Sequence, residues 1–190
     1  MALIIGIIGE NGGGKDSFAK AIAGHRPDLS VEAFRSSDVL RETLEIWSVP
    51  ASRRDFQALA VAMENTFGKG VLSRAMDARM RASKASIVMF NGVRWQSDVD
   101  VVRAFPDHLL VYVTADPELR YHRLNGRGEK VDEEGMSYER FLQEEQAQTE
   151  RQIPEIGATA DVHIENNGTM ETFLAAVKVF CDQHLNNLST

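Results

Sequence analysis

The sequence predicts an α/β layered fold built on a parallel sheet, and three observations carry that expectation. Residues 3–8, 87–90 and 109–113 are continuous apolar runs without polar alternation, the pattern of strands covered on both faces. Segments with 3.6-residue apolar periodicity separate them. A glycine-rich loop follows the first run directly and leads into the first helical segment.

The elements follow in order. The opening Leu-Ile-Ile-Gly-Ile-Ile run has no basic n-region and no small-residue cleavage site. It therefore reads as a buried strand, not a signal peptide, and the protein as cytoplasmic. A helix from near Gly14 to Gly24 puts Phe18, Ala19 and Ile22 on one face. Residues 31–34 form a weaker strand, and 38–47 a short helix. Ser52 and Asp55 have the spacing of a helix start. Phe56, Leu59, Ala60, Met63 and Phe67 then fall on one stripe. Gly68 ends or bends that helix, and Leu72, Ala75, Met76 and Met80 continue helically. Asp116-Pro117-Glu118 opens another helix with a cap, a proline in the first position and an acid in the first turn. Residues 138–152 and 170–185 complete the helices, with a weak strand over 162–164 between them. The last helix places Cys181 on the same face as Phe173, Val177 and Phe180, so Cys181 reads as core.

Composition bounds the function. The 190 residues are 43% hydrophobic and 26% charged, which fits one globular domain over 1–190 and excludes disorder, collagen-like repeats and a disulfide scaffold. A net charge of −7 argues against a protein whose main task is gripping nucleic-acid backbone. No apolar run reaches the ~18 residues of a membrane span, so no membrane partner is expected. A single cysteine cannot form an intrachain disulfide, which fits a reducing compartment.

The decisive motif is Gly9-Glu10-Asn11-Gly12-Gly13-Gly14-Lys15-Asp16, a G-x-x-x-x-G-K pattern between strand and helix. Such a loop curls backbone N–H groups round a phosphate, and side chains would obstruct the approach. The helix N-terminus adds positive potential. Lys15 reaches for the terminal phosphates. Gly9, Asn11, Gly12, Gly13, Gly14, Lys15, Asp16 and Ser17 are thus the expected ligands of a nucleotide's phosphates. Position 16 is Asp where such loops usually offer a hydroxyl to Mg²⁺, and Ser17 follows one position late. Asp16 is the metal-side candidate, either ligating Mg²⁺ directly or holding one of its waters.

Gly-Lys-Asp in this loop resembles the variant of T4-type deoxynucleoside monophosphate kinases and animal phosphomevalonate kinases. Ser37-Asp38-Val39-Leu40-Arg41, Asn91-Gly92-Val93-Arg94, the Arg120/Arg123/Arg127 series and Glu165-Asn166-Asn167-Gly168-Thr169 add an ordered set. The whole resembles the P-loop small-molecule kinase superfamily, including adenylate kinases, dephospho-coenzyme A kinases and an archaeal adenylate-kinase-like group. The resemblance implies a three-layer P-loop kinase fold with a parallel five-stranded sheet, a helical acceptor arm over 35–70 and a short lid over 120–137. It implies ATP and Mg²⁺, and in-line transfer of the γ-phosphoryl group to a nucleoside or deoxynucleoside monophosphate. A coenzyme precursor or hydroxymethylated base as acceptor is the alternative within the class, and a non-catalytic nucleotide switch the alternative outside it. A monomer or homodimer is expected.

Phosphoryl transfer needs cations and positioning more than covalent help. Arg120, Arg123 and Arg127 share one helix face and lead into the Gly126-Arg127-Gly128 flap. The resemblance makes Arg123 and Arg127 catalytic lid residues, with Arg123 also on the nucleotide. The flap has no cysteine cluster, which excludes a zinc-bearing lid. Arg53 and Arg54 stand in the first turn of a helix, where cations oppose the macrodipole unless an anion binds nearby. Both are candidate acceptor ligands. Arg41 lies three residues after Asp38 on the same helix face, in the region the resemblance assigns to the acceptor. Asp38 follows the second strand, at the edge where α/β folds bind ligands. It either holds a metal-bound water, orients the attacking oxygen, or caps the helix. Asn91 stands where the resembled kinases usually carry Asp, and Arg94 is placed to bridge donor and acceptor phosphates. Asn167 belongs to the loop expected against adenine. Trp47 and Trp95 are candidates for stacking on an acceptor or for the core. The five histidines show no metal-ligand spacing, and a GTPase base-reading motif is absent.

Overall fold

A computed structural model describes residues 2–50, 52–127 and 135–188, except for the side chains of Arg53 and Arg127. Five strands, β1 (Leu3–Ile8), β2 (Val31–Phe34), β3 (Ile87–Val93), β4 (His108–Thr114) and β5 (Val162–Glu165), form one sheet. Its order is β2-β3-β1-β4-β5 and every pairing is parallel. The five-stranded parallel sheet is as the sequence predicts.

Burial on both faces explains the unbroken apolar runs. Leu3, Ile5 and Ile7 of β1 face a layer made by α1 (Lys15–His25) and α9 (Met170–His184), through Phe18, Ile22, Phe173, Val177 and Phe180. Ile4 and Ile8 face the opposite layer, made by α4 (Val71–Ala82), α5 (Gln96–Arg103) and α8 (Ile153–Gly157). Successive β1 residues thus enter different cores, so none of them is left to solvent. Gly6 falls on the second face, where a Cβ would come within 2.7 Å of Leu110 Cδ2. Cys181 is buried in the first core, and burial pushes its thiol up to about 11.

The helical arm is α2 (Ser36–Ile46) and α3 (Arg53–Phe67), packed with α4 around Leu40, Ala60 and Leu72. The predicted start of α3 is realised. Ser52 Oγ accepts from the Asp55 N–H at 3.2 Å, and Asp55 Oδ2 accepts from the Ser52 N–H at 3.1 Å. Its apolar stripe, however, is only partly covered, and Phe67 stands 61% exposed. Phe56 and Ala60 of the same stripe, besides packing in the arm's core, line a cleft beneath it.

Two helical features differ from expectation. Residues 138–152 are not one helix: α7 (Tyr138–Glu145) ends, the chain turns, and α8 begins with Pro154 in its first turn. This turn buries Thr149 and Glu150. α5 was not legible, because its eight residues carry only Val99 and Val102 as buried apolar anchors. α6 (Pro117–Arg127) starts where the proline predicts. The lid over 120–137 lies partly outside the described residues. Among those described, no helix is long and apolar enough to cross a membrane.

Candidate functional site

The carboxyl ends of the parallel strands point to one edge of the sheet, and the site is assembled there. A cleft of about 660 Å³ runs from the loop after β1 to the helical arm. The glycine loop supplies Asn11, Gly12, Gly14, Lys15, Asp16 and Ser17 to its wall, which also carries Arg41 and Arg94.

The loop's shape is enforced by its neighbours. Gly9 has φ +157, and a Cβ there would lie 2.2 Å from the Val113 carbonyl oxygen. Gly14 has φ +111, and its Cβ would lie 2.4 Å from Asn166 Nδ2. That amide donates to the Gly13 carbonyl at 3.0 Å, tying the loop to the end of β5. Glu10 is buried and accepts from Thr114 Oγ1 at 2.8 Å and from the Tyr112 hydroxyl. Burial, with the Glu10 bond next, pushes Tyr112 up to about 12.

Lys15 folds over its own loop, donating to the Gly9 carbonyl at 2.6 Å and the Glu10 carbonyl at 2.8 Å. Desolvation and the nearby Arg94 charge push its ammonium down to about 8. Next to it, Asp16 Oδ1 accepts from Asn91 Nδ2 and from Arg35 Nη2, both at 2.7 Å. Among the described residues no three His, Cys, Asp or Glu gather to cage a metal. One carboxylate beside a phosphate loop nevertheless fits Mg²⁺, which keeps waters and takes most other ligands from substrate phosphates.

Arg94 is paired with Glu150, whose side chain is 5% exposed. Asn11 Nδ2 also approaches Glu150, at 3.4 Å. The turn that positions Arg94 is fixed by buried Asp98, which accepts from the Arg94 and Trp95 N–H groups at 3.0 and 3.1 Å. Burial raises the Asp98 pKa, against hydrogen bonds from Ser73 and those backbone groups. Trp95 packs with the small core of the arm and also lines the cleft, whereas Trp47 is exposed.

On α6, Arg120 is a strut. It is buried, donates to the Ala115 carbonyl at 2.8 Å, pairs with Glu145 and sits 5.5 Å over the Phe141 ring. Arg123 reaches the Gly12 carbonyl at 3.5 Å and the Asn166 carbonyl at 2.8 Å, so it spans the phosphate loop and the loop after β5. Desolvation lowers its pKa. Asn167 does not face the phosphate loop: its Oδ1 accepts from the Asp116 N–H at 2.8 Å, at the start of α6. Its neighbour Asn166 faces the loop instead. The Arg127 side chain lies outside the described residues.

On the arm, Asp38 closes a capping box, its Oδ2 accepting from the Arg35 N–H at 3.2 Å. The cleft wall here is Arg35, Ser36, Ser37 and Arg41, without Asp38. Arg41 sits 5.6 Å over the Phe56 ring. Arg54 is exposed and away from the cleft wall, and the Arg53 side chain lies outside the described residues. The structure thus gathers Lys15, Asp16, Arg41 and Arg94 and leaves Asp38, Arg54 and Asn167 at the margins. It adds Arg35, Glu150 and Asn166, which the sequence reading did not single out as ligands. Arg35 had a signal, since it directly follows a strand at its carboxyl end. Glu150 had none, because it sits in a stretch that reads as helix.

The sheet order, the loop between β1 and α1 and the arm over α2–α3 together define a P-loop kinase fold. Solved structures agree. Shikimate kinase from Bacteroides thetaiotaomicron is similar with a TM-score of 0.63 at 13% identity, over 95% of this chain and 97% of that one. Shikimate kinase from Acinetobacter baumannii, in complex with shikimate, gives a TM-score of 0.58 at 15% identity over 100% and 97%. No protein-family model matches the chain. In sequence it is 28% identical over 170 residues to a UPF0200 protein of Sulfurisphaera tokodaii, covering 90% of each. A UPF0200 protein of Methanoculleus marisnigri is 25% identical over 92% of this chain and 93% of its own.

Proposed function

We propose that the protein is an ATP-dependent small-molecule kinase whose acceptor is a nucleoside or deoxynucleoside monophosphate. One observation carries the reading: Lys15, Arg94 and Arg41 line a single cleft that joins a phosphate loop to a helical arm. A chain of net charge −7 concentrates cations there, which favours two phosphorylated substrates over one. The apolar arm-side walls of the cleft, Leu40, Phe56, Ala60 and Leu72, favour an acceptor with a ring to bury over a polyhydroxylated one.

In this reading an acceptor phosphate oxygen attacks the γ-phosphorus, and the bond to the β–γ bridging oxygen breaks, leaving ADP. The loop amides and Lys15 hold the donor tail, Arg94 sits between the two substrates, and Arg41 meets the acceptor. Arg123 closes the nucleotide side. Mg²⁺, when bound with the nucleotide, neutralises developing phosphate charge, and Asp16 is the residue to hold it or its water. A coupled assay for ADP over a panel of monophosphates tests the proposal. Turnover with at least one acceptor, lost in Lys15→Ala, is expected. ADP release no faster than the acceptor-free background for every acceptor would refute it.

A further inference from the structure

We infer that Arg35 is a further acceptor-binding residue, held by Asp16 in the nucleotide-free protein and released to the acceptor's phosphate when Mg²⁺ arrives with the nucleotide. The inference rests on the kinase reading above.

Two donors to Asp16 Oδ1 differ in character. Asn91 is uncharged, buried and fixed on β3. Arg35 is charged and stands on the cleft wall, and its pair with Asp16 leaves the two side chains 43% and 33% exposed. A solvent-accessible ion pair is weak and readily exchanged. A divalent cation at Asp16 removes the charge that attracts Arg35 and repels the guanidinium in addition. Asn91 feels no such repulsion, so it keeps the carboxylate in place while Arg35 leaves.

Three other cations of the cleft have partners that a metal does not compete for. Lys15 is held by carbonyls, Arg94 by the buried Glu150, and Arg41 by the Phe56 ring. Arg35, by contrast, donates directly to the metal-side carboxylate. Its backbone cannot follow the side chain, because the Arg35 N–H is bound by Asp38 at 3.2 Å. That pinning keeps the swing local, within reach of Ser36, Ser37 and Arg41 on the same wall. Asp38, which the sequence offers as holder of a metal-bound water, orienter of the attacking oxygen or helix cap, thereby becomes a positioning residue for Arg35. The device couples the two substrates: Mg²⁺ and nucleotide free a ligand for the acceptor, and by linkage the acceptor tightens Mg²⁺–nucleotide binding by the same factor.

Calorimetry on the whole chain tests this with two probes. The first is the non-hydrolysable analogue AMP-PNP, titrated with and without Mg²⁺. The second is inorganic phosphate, titrated into protein saturated with Mg²⁺ and AMP-PNP. In Arg35→Gln the factor by which Mg²⁺ improves AMP-PNP binding should rise about tenfold, since the metal no longer displaces this guanidinium and the less neutralised Asp16 repels the metal-free tail more strongly. Phosphate binding to the ternary complex should weaken about tenfold, and Arg35→Lys should recover part of both. Melting curves establish that each variant is folded. If either quantity is unchanged in Arg35→Gln, or the wild-type complex takes up no phosphate, the role of Arg35 is overturned while the kinase reading stands. If wild type fails to bind AMP-PNP with Mg²⁺ at all, the kinase reading itself falls.

Discussion

Asn91 Nδ2 donates to Asp16 Oδ1 at 2.7 Å, joining the end of β3 to the first turn of α1. Each residue looks like a separate departure from the pattern the chain resembles, a carboxylate where a hydroxyl is usual and an amide where a carboxylate is usual. Their contact joins the two departures: the loop carries the carboxylate and the strand an amide that donates to it. Asn91→Asp should therefore be costly, because two carboxylates this close cannot both ionise. Thermal melts should show a loss of about 1–3 kcal/mol without metal, with part of it restored by millimolar Mg²⁺. An Asn91→Asp variant as stable as wild type in metal-free buffer would show that the pair is not coupled.

Lys15 makes the site pH-dependent in a definite direction. Its pKa is lowered from 10.5 to about 8 in the free protein, so the unfolded chain holds this proton more tightly than the folded one. That penalty on folding is full below pH 8 and fades as pH rises from 8 to 10.5. A bound polyphosphate acts oppositely, raising the pKa again. Nucleotide binding should therefore take up a proton near pH 8.5 and weaken as pH climbs further. Calorimetry in buffers of different ionisation enthalpy measures the uptake, which should vanish in Lys15→Met.

Arg94 and Glu150 predict asymmetric variants. Removing Arg94 leaves a buried carboxylate beside the phosphate loop, whereas Glu150→Gln leaves a cation there. Arg94→Ala should weaken ATP binding by tenfold or more through repulsion. Glu150→Gln should cost stability, about 1–3 kcal/mol for a lost hydrogen bond between charged groups, with ATP affinity held or improved. Equal losses of ATP affinity in both variants would mean that the pair acts only as scaffold.

Gly14 separates steric from torsional strain. Gly14→Ala meets both Asn166 Nδ2 at 2.4 Å and a backbone φ of +111, which for a side-chain-bearing residue costs about 1–3 kcal/mol. Adding Asn166→Ala removes the first obstacle only. The double variant should remain defective in nucleotide binding and stability, and full recovery would show that the amide alone enforces glycine.

Arg123 tests the donor side. Because its guanidinium spans the Gly12 and Asn166 carbonyls, Arg123→Ala should raise KM for ATP as well as lower kcat. A change in kcat alone would place its action wholly in the transition state.

Much of the fold was legible because its signals are local. A strand buried on both faces must be apolar at every position, and β1, β3 and β4 are nearly so. The start of α3 was legible in Ser52 and Asp55 because a capping box is written within four residues. The break after α7 was not, since Gln146 and its neighbours carry no glycine or proline until Pro154. The phosphate loop was readable for the same local reason: one loop supplies the whole cradle.

The sequence by itself determined the sheet, the loop with Lys15, and the presence of many arginines, since each follows from periodicity or from contiguous residues. Only the tertiary structure decided what those arginines do. Arg120 is buried against Glu145 and Phe141, Arg54 faces outward, Arg94 is matched by Glu150 from 56 positions away, and Arg35 is drawn to Asp16 across 19. A guanidinium takes its role from the anion it meets, and that meeting is set by how strands and loops converge at the sheet edge rather than by the residues beside it in the chain.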